Sequence, residues 1–198
     1  MLPITLIFFV LMFLGLPVAF AIGIAGFWFF LTSPIMPTQI GVQKIATMSQ
    51  SFPLLAVPFF VFAGHLMNES GITSRLFRFS QIAVGWMSGG LGQIAIVLST
   101  LMGGVSGSAV ADAAMEARIL GPSMIERGYG RGFSAAVIAV GSLITATIPP
   151  SIGLILYGYV GNVSIGRLFL AGVIPGLLMM VSLMVTTYLI ARRRGYVV

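Results

Sequence analysis

The sequence contains no cysteine, and its 198 residues include only four acidic residues and one histidine. Without cysteine the chain has no disulfide framework. It also lacks any Cys/His/carboxylate cluster of the kind that forms a metal centre. Glycine-rich nucleotide-binding patterns of the GxGxxG and Walker A types are absent too, which argues against a protein that uses ATP by itself.

Charge is scarce throughout: 7% of the residues are charged and 58% are hydrophobic, whereas soluble domains carry about 25% charge. This composition predicts an all-α, polytopic integral membrane protein. The net charge of +6 could suggest nucleic acid as a partner. However, the arginines lie at the ends of apolar runs, as the positive-inside rule predicts. We therefore expect the lipid bilayer as a partner and no nucleic acid.

The first apolar run, Leu2–Leu31, is too long for one perpendicular span. As a single helix it would measure about 45 Å, against about 30 Å for the hydrocarbon core. We expect it to kink at Gly15-Leu16-Pro17, with two short helices as the alternative. It has no cationic leader and no small-residue cleavage site, so we expect a retained span rather than a signal peptide.

Two helices are predicted in the next part of the chain. Thr32–Gln50 indicates a loop followed by a short amphipathic helix, and Phe52–Met67 is a second apolar run with Pro58 inside it.

Gly71–Trp86 has an apolar stripe at helical spacing, with Arg75 and Arg78 off the stripe. This pattern predicts a helix in the membrane interface, with an ordinary helical connector as the alternative. The stripe consists of Ile72, Leu76, Phe79 and Ala83.

The stretch from Gly103 to Ser151 places turn residues and charge beside hydrophobic sequence. The apolar, glycine-rich segment 88–104 ends in a Gly/Ser tip at 106–108, and a polar-speckled helix is predicted over Ala109–Met124. Backbone can break inside a bilayer only where protein or a water-lined cavity satisfies its polar groups. We therefore predict a re-entrant helical hairpin over 88–126, and the uncharged tip favours it over two complete spans.

The positions of the arginines predict the orientation of the chain in the membrane. Arg192–Arg194 close the clear span 168–191 and place the C-terminus in the cytoplasm. Residues 162–167 are then outside, and Arg127 and Arg131 are inside. The N-terminus is expected to be cytoplasmic.

A second break follows the hairpin. The apolar run Tyr129–Ile148 is interrupted by Pro149-Pro150 and continues over Ile152–Val160. The prolines cannot donate, so the carbonyls of 145–147 are expected to be partly unpaired. Hydroxyl and carbonyl oxygens suit Na⁺, and the helix start after the tip suits a carboxylate. Broken helices of this kind form midplane sites in secondary transporters.

We therefore predict an ion- and substrate-binding site at the tip and the broken helix. It consists of Ser106, Gly107, Ser108, Thr145, Thr147, Pro149, Pro150 and Ser151, with Na⁺ at Ser106, Ser108 and Thr147.

Asp112 and Glu116 share one helix face at i,i+4 spacing. Each would cost about 2.5–3.5 kcal/mol if it faced lipid at a helix centre, so both are expected to face protein, a cavity or the interface. One interpretation is that they pair with Arg118, Arg127 or Arg131, or help to cap the helix. The other is that they support an ion site behind the hairpin tip.

Two other functions compete with transport. Gly104-Val105-Ser106-Gly107 fits the G-x-S-G pattern of rhomboid-like intramembrane serine proteases, with His65 as the one available base. Those proteases place the histidine after the serine, whereas here it comes before, so His65 is expected to be an interfacial or hydrogen-bonded residue. We do not expect an enzyme. A non-transporting membrane scaffold subunit is the third class.

Several segments together resemble the large membrane subunit of TRAP (tripartite ATP-independent periplasmic) transporters: LGLPVAFAIG, SFPLLAVPFFVFAGHLM, GGVSGSAVADAAMEARILGPSM, RGYGRGFSAAV, IPPSIGLILYG and GRLFLAGVIPGLLM. The resemblance implies Na⁺-coupled import of organic acids (C4-dicarboxylates, 2-oxo acids or sialic acid) across the bacterial inner membrane. A periplasmic binding protein would deliver the substrate, and a small membrane subunit would brace the large one.

The resemblance also implies an elevator-type fold and a division of the chain. Scaffold helices and an interfacial arm would occupy 1–87, and a closing helix with a basic cytoplasmic end would occupy 162–198. Transport-domain elements would occupy 88–161, with the hairpin at 88–126 and the broken helix at 129–161. The family's large subunit is about twice as long and has two inverted repeats. This chain matches the first, so the second half is an expected partner.

Overall fold

The computed structural model describes residues 2–33 and 37–196, and the regular structure of these residues is entirely helical, which confirms the all-α prediction. The chain forms two compact units, residues 1–52 and 53–198. The helices are α1 Leu2–Phe13, α2 Val18–Thr32, α3 Thr38–Ser49, α4 Phe52–Glu69, α5 Ile72–Val84, α6 Gly90–Gly103, α7 Ala109–Ile119, α8 Gly121–Glu126, α9 Arg131–Gly141, α10 Leu143–Thr147, α11 Ile152–Val160 and α12 Ile165–Arg194.

Among the described residues, α12 is the one helix that is long and apolar enough to cross a membrane by itself. The number rises to three if each of two bent helix pairs, 38–48 with 53–69 and 131–147 with 152–160, is counted as one span. The outer side of α12 exposes Leu170, Ile174 and Leu178. An apolar surface of this kind is unusual in soluble monomers and is expected of a lipid-facing helix.

The first unit corrects the prediction of a single kinked helix over Leu2–Leu31. The helix ends at Phe13, and α2 begins at Val18 and folds back against α1. Gly15 takes a left-handed φ of 85°, and Pro17 has no N–H with which to continue the backbone hydrogen-bond ladder. The alternative of two short helices is therefore the observed one.

The predicted amphipathic helix of Thr32–Gln50 is present as α3, whereas residues 34–36 of the predicted loop lie outside the described residues. Within the first unit α3 packs against α2. Gly41 allows this approach, because a Cβ atom there would lie 2.9 Å from the Phe30 ring.

The second unit begins with α4, which contains Pro58 as predicted. The helix predicted over Gly71–Trp86 is present as α5, and it buries Thr73, Ser80 and Val84. Much of its apolar side is exposed instead, including Phe79 and Ile82. An amphipathic helix with its apolar face turned outward agrees with a helix in the membrane interface, and that location stays a prediction.

The predicted hairpin corresponds to α6 and α7, which are joined by the turn Gly104–Ser108, and its re-entrant placement in the membrane stays a prediction. A side-chain hydrogen bond from Ser99 to Glu116 joins the two arms at 2.8 Å. The helix predicted over Ala109–Met124 ends earlier than expected, at Ile119. After Leu120 the chain starts the short helix α8, which has proline in its first turn, where the missing N–H costs nothing.

The predicted break at Pro149-Pro150 is also present. Residues 131–147 and 152–160 form a bent pair with an angle of 48° between the two helical parts. The first part is itself divided at Ser142 into α9 and α10. The peptide bond between the two prolines is cis.

The centre of the second unit is α6, which is buried along almost its whole length and contacts α5, α9, α10 and α12. Two of the α12 residues that face the broken helix are glycines. A Cβ atom at Gly172 would lie 2.5 Å from the Thr147 carbonyl oxygen, and one at Gly176 would lie 2.5 Å from Ile148 Cγ1. The two glycines therefore let the broken helix approach the α12 backbone closely, with backbone at Gly172 and with a side chain at Gly176.

Gly172→Ala is expected to destabilise the protein by about 1–3 kcal/mol, because the added methyl group meets a backbone carbonyl rather than a movable side chain. The apparent melting temperature of the detergent-purified protein measures the effect. Gly166→Ala is the matched control on the same helix, since its nearest atom would be 4.0 Å away. Equal melting temperatures for the two variants would contradict the close packing of α12.

Candidate functional site

The hairpin tip lies directly against the broken helix. Gly107 takes a φ of 60° at the tip, and a Cβ atom there would lie 2.5 Å from the Pro150 carbonyl oxygen. The backbone N–H of Ile152, the first residue of α11, donates to the Gly107 carbonyl at 3.4 Å. The structure therefore brings Gly107 and Pro150 together, and only glycine fits the approach without strain.

Two helix N-termini meet at this junction. Ser108 is the N-cap of α7 and accepts from the Ala111 N–H at 3.5 Å. Ser151 is the N-cap of α11 and accepts from the Leu154 N–H at 3.4 Å. Each N-cap satisfies one backbone donor of its helix and leaves others free. The positive ends of two helix dipoles therefore lie close together.

Asp112 lies one turn behind the tip and is 2% exposed. The hydroxyl groups of Ser106 and Thr145 lie beside its carboxyl group. Its Oδ2 atom has no hydrogen-bond partner among the described residues. A buried acceptor without a partner costs free energy, so this oxygen is available to a ligand.

Glu116 lies one turn further along α7 and is fully buried. Its Oε1 atom accepts from Ser99, and its Oε2 atom has no partner among the described residues. Thr145 supports the same region by donating to the Ser99 carbonyl at 2.8 Å. The two acidic side chains thus share a buried polar layer formed by α6, α7 and α10.

The predicted pairing of Asp112 and Glu116 with arginine is not found among the residues that the structure describes. Arg118, Arg127 and Arg131 are exposed, while both carboxyl groups are buried. The i,i+4 spacing turns both acids to the interior, whereas Arg118 on the same helix faces outward. The alternative, that the acids support a site behind the tip, agrees with this placement and stays a prediction.

The two predicted threonines occupy different places. Thr145 faces the hairpin, as described above. Thr147 donates to the Leu143 carbonyl at 3.1 Å and lies 3.9 Å from Met179 Sδ on α12. The prediction that Thr147 shares an ion with Ser106 and Ser108 therefore requires its side chain to turn away from α12.

A cavity of about 330 Å³ opens beside the tip and is bordered by Ser106, Ser108 and Asp112. Its opposite side is formed by α4, with His65 and Asn68. The sequence prediction missed this contribution of α4. The available signal was the recurrence of small or polar residues at 64, 65 and 68 in an otherwise apolar helix.

His65 and Ser106 border the same cavity without forming a catalytic pair in the described structure. Ser106 Oγ donates to the Met102 carbonyl at 3.5 Å and accepts from the Ser108 N–H at 3.3 Å. No hydrogen bond joins it to His65 among the described residues, whereas an activated serine normally lies within hydrogen-bond reach of its base.

The described residues contain no group of three His, Cys, Asp or Glu side chains that could hold a metal ion. Hydroxyl and carboxyl oxygens are nevertheless suitable ligands for a hard monovalent cation. Ser106, Ser108 and Asp112 supply three such oxygens at one cavity wall, so the chemistry of these residues fits Na⁺.

Residues 5–198 match a family model described as the DctM component of the tripartite ATP-independent periplasmic transporter. The sialic acid TRAP transporter large permease protein of Vibrio cholerae is 42% identical over 186 residues, which cover 94% of this chain and 44% of that protein. The sialic acid TRAP transporter permease protein of Haemophilus influenzae is 39% identical over 96% of this chain and 31% of its own length.

A third relative is the 2,3-diketo-L-gulonate TRAP transporter large permease protein of Escherichia coli. It is 39% identical over 180 residues, which cover 91% of this chain and 42% of that protein. The chain therefore spans less than half the length of these relatives.

Gly107→Ala is expected to destabilise the protein by about 2 kcal/mol or more, because it adds both left-handed backbone strain and a clash with Pro150. Chemical or thermal unfolding measures the change. Gly104→Ala is the control in the same turn, since its nearest contact would be an ordinary 3.5 Å. A Gly107→Ala variant as stable as the control would mean that the tip does not touch the break.

Ser99→Ala is expected to cost about 1–3 kcal/mol of stability, because it leaves the buried Glu116 carboxyl group without its hydrogen-bond donor. Ser142→Ala is a matched control. Ser142 is also buried, but its hydroxyl group bonds only to the Ala139 carbonyl at 3.0 Å within its own helical segment. Unfolding curves that lose the same stability in both variants would contradict a structural role for the Ser99–Glu116 bond.

Proposed function

The chain belongs to the DctM family of tripartite ATP-independent periplasmic transporters, as its motifs predicted, and we propose that it supplies the first ion- and substrate-binding half of a Na⁺-coupled organic-acid permease. The family match covers residues 5–198. The observation that supports the proposal best is the contact between the hairpin tip and the broken helix, with an unpartnered buried carboxyl oxygen behind it.

Na⁺ binds at the hairpin side of the cavity in this proposal. The hydroxyl groups of Ser106 and Ser108 and the carboxyl group of Asp112 border the same space. No arginine or lysine pairs with Asp112 among the described residues, so a bound cation would supply the missing counter-charge. Thr147 joins this set after a side-chain rotation, and Glu116 supports it from the interior.

The substrate carboxylate binds where the two helices begin. The starts of α7 and α11 carry free N–H groups and about half a positive charge each. Gly107 brings these starts together by its contact with Pro150. Na⁺ and carboxylate then lie side by side, so that binding of either one favours the other.

The transported molecule is an organic acid of the C4-dicarboxylate, 2-oxo acid or sialic acid type. Relatives are named for sialic acid, 2,3-diketo-L-gulonate and isethionate, and all three compounds are anions. Selectivity also depends on a periplasmic binding protein and on the second half of the large subunit, since the chain covers 44% of the length of its Vibrio cholerae relative.

The proposed mechanism is an elevator, in which the hairpin and the broken helix (88–161) carry the site past the scaffold helices and arm (1–87), while 162–198 closes the unit. A small membrane subunit braces the scaffold. The protein lies in the bacterial inner membrane with both termini of this chain in the cytoplasm, because Arg192–Arg194 end the last span.

Ser106→Ala or Ser108→Ala in the complete transporter is expected to raise the Na⁺ concentration for half-maximal uptake about tenfold, the effect of losing one ligand to a charged group. Uptake of labelled sialic acid into proteoliposomes, measured with the periplasmic binding protein across a range of Na⁺ concentrations, tests this. Ser164→Ala is the control, because Ser164 precedes α12 and makes no side-chain cap bond.

An unchanged Na⁺ dependence in both tip variants would mean that Na⁺ does not bind at the tip. A wild-type assembly that binds the periplasmic protein but imports no organic acid would instead favour the non-transporting scaffold.

A further inference from the structure

From the cavity beside the hairpin tip we infer that α4 is a substrate-recognition element: His65 and Asn68 bind the oxygens of the organic acid that face away from the hairpin. The inference rests on the proposed function and adds the residues that determine substrate affinity. We call the face of α4 formed by Val61, Gly64, His65 and Asn68 the α4 wall, and the side formed by Ser106, Ser108 and Asp112 the hairpin wall. Both border the same cavity.

The α4 wall is a continuous helix face. Its four residues follow the i, i+3, i+4, i+7 spacing that places side chains in one row. Gly64 sets the distance to the hairpin, because a Cβ atom there would lie 2.8 Å from the Val105 carbonyl oxygen. Beside this contact, His65 and Asn68 border the cavity.

The two walls differ in the hydrogen-bonding groups that they offer. Asn68 Oδ1 accepts from Thr73 Oγ1 at 2.8 Å, so its amide NH₂ group is the part left for a ligand. His65 has an imidazole N–H in either protonation state, and its ring forms no hydrogen bond among the described residues. The α4 wall therefore offers donors.

The hairpin wall offers acceptors, and Asp112 brings a negative charge whose Oδ2 atom has no partner among the described residues. Without a cation, an organic anion beside this wall would be repelled by the carboxyl group. The favourable arrangement puts the cation between Asp112 and the substrate carboxylate, and the acid's remaining oxygens on the α4 wall. A cavity of about 330 Å³ is within the range of small-molecule sites, about 300–1,000 Å³.

The test measures equilibrium binding of labelled sialic acid, 2,3-diketo-L-gulonate and succinate to the purified complete permease at saturating NaCl, without the binding protein. His65→Leu is expected to raise the Kd of the bound acid about tenfold, the effect of losing one hydrogen bond to a charged group. His65→Gln keeps an N–H donor and should raise it less than about threefold.

Asn68→Asp gives a second, independent readout. It keeps the oxygen that accepts from Thr73 but replaces the NH₂ donor by a carboxylate, so the expected loss of affinity is at least as large as in His65→Leu. Leu66→Ala is the control: Leu66 is the neighbour of His65, lies off the α4 wall and is exposed. Its Kd should equal that of the wild type.

A parallel measurement separates the substrate from the ion. Without substrate, the rise in melting temperature with NaCl should be the same in His65→Leu, Asn68→Asp and wild type, whereas Ser106→Ala should need more Na⁺. The same melting curves show whether each variant is folded. If His65→Leu is not, His65→Gln and Asn68→Asp decide the outcome.

Wild-type affinity in both His65→Leu and Asn68→Asp would overturn the inference and leave the proposed function intact. A change in Na⁺ stabilisation by His65→Leu without substrate would also overturn it, by assigning His65 to the ion. If the wild-type permease binds none of the three acids at any Na⁺ concentration, the proposed function itself is wrong.

Discussion

The contact between the hairpin tip and the broken helix depends on how the chain satisfies the backbone N–H and C=O groups that are left unpaired where the two helices are interrupted. Ile152 begins α11, and its N–H has no partner within that helix. The Gly107 carbonyl, at the end of the hairpin, accepts from it. The hairpin tip therefore supplies the acceptor and the broken helix supplies the donor, and glycine at 107 permits their close approach. The hairpin and the broken helix are thus two parts of one packed junction, because the Gly107 carbonyl and the Ile152 N–H satisfy each other.

Two buried carboxyl groups dominate the electrostatics behind the hairpin tip. Asp112 and Glu116 both lie inside, in contact with hydroxyl groups and with no arginine as partner among the described residues. Such groups reduce stability unless a proton or cation compensates them. Glu116 is enclosed by protein, whereas Asp112 borders the cavity. Of the two acids, Asp112 is therefore the one at the cavity, which is why our proposal places the cation on the hairpin wall.

The sequence predicted the features that arise from local chemistry. Pro149-Pro150 cannot continue a helix, and the Gly/Ser tip at 106–108 makes a tight turn, so both breaks lie where expected. Properties that depend on packing were less accessible. The sequence Gly15-Leu16-Pro17 is compatible with either a kink or a turn. In the structure it forms a turn that folds α2 back on α1. Thr145 and Thr147 look equivalent in the sequence, but a two-residue offset on a helix turns one to the hairpin and the other to α12. The role of α4 likewise required a contact between residues far apart in the chain.

The last helix connects these parts. Gly172 contacts the Thr147 carbonyl at the start of the break, and near the other end of α12 a Cβ atom at Gly89 would lie 2.6 Å from Ala191 Cβ. Tyr196 then accepts from the Gly89 N–H through its carbonyl at 3.3 Å and from the Gly130 N–H through its hydroxyl at 3.1 Å. The break and the base of the hairpin are therefore attached to one helix at its two ends. In the proposed elevator, the hairpin and the broken helix would therefore move together with α12, and the contact of the tip with Gly64 of α4 would be among those that a sliding motion breaks.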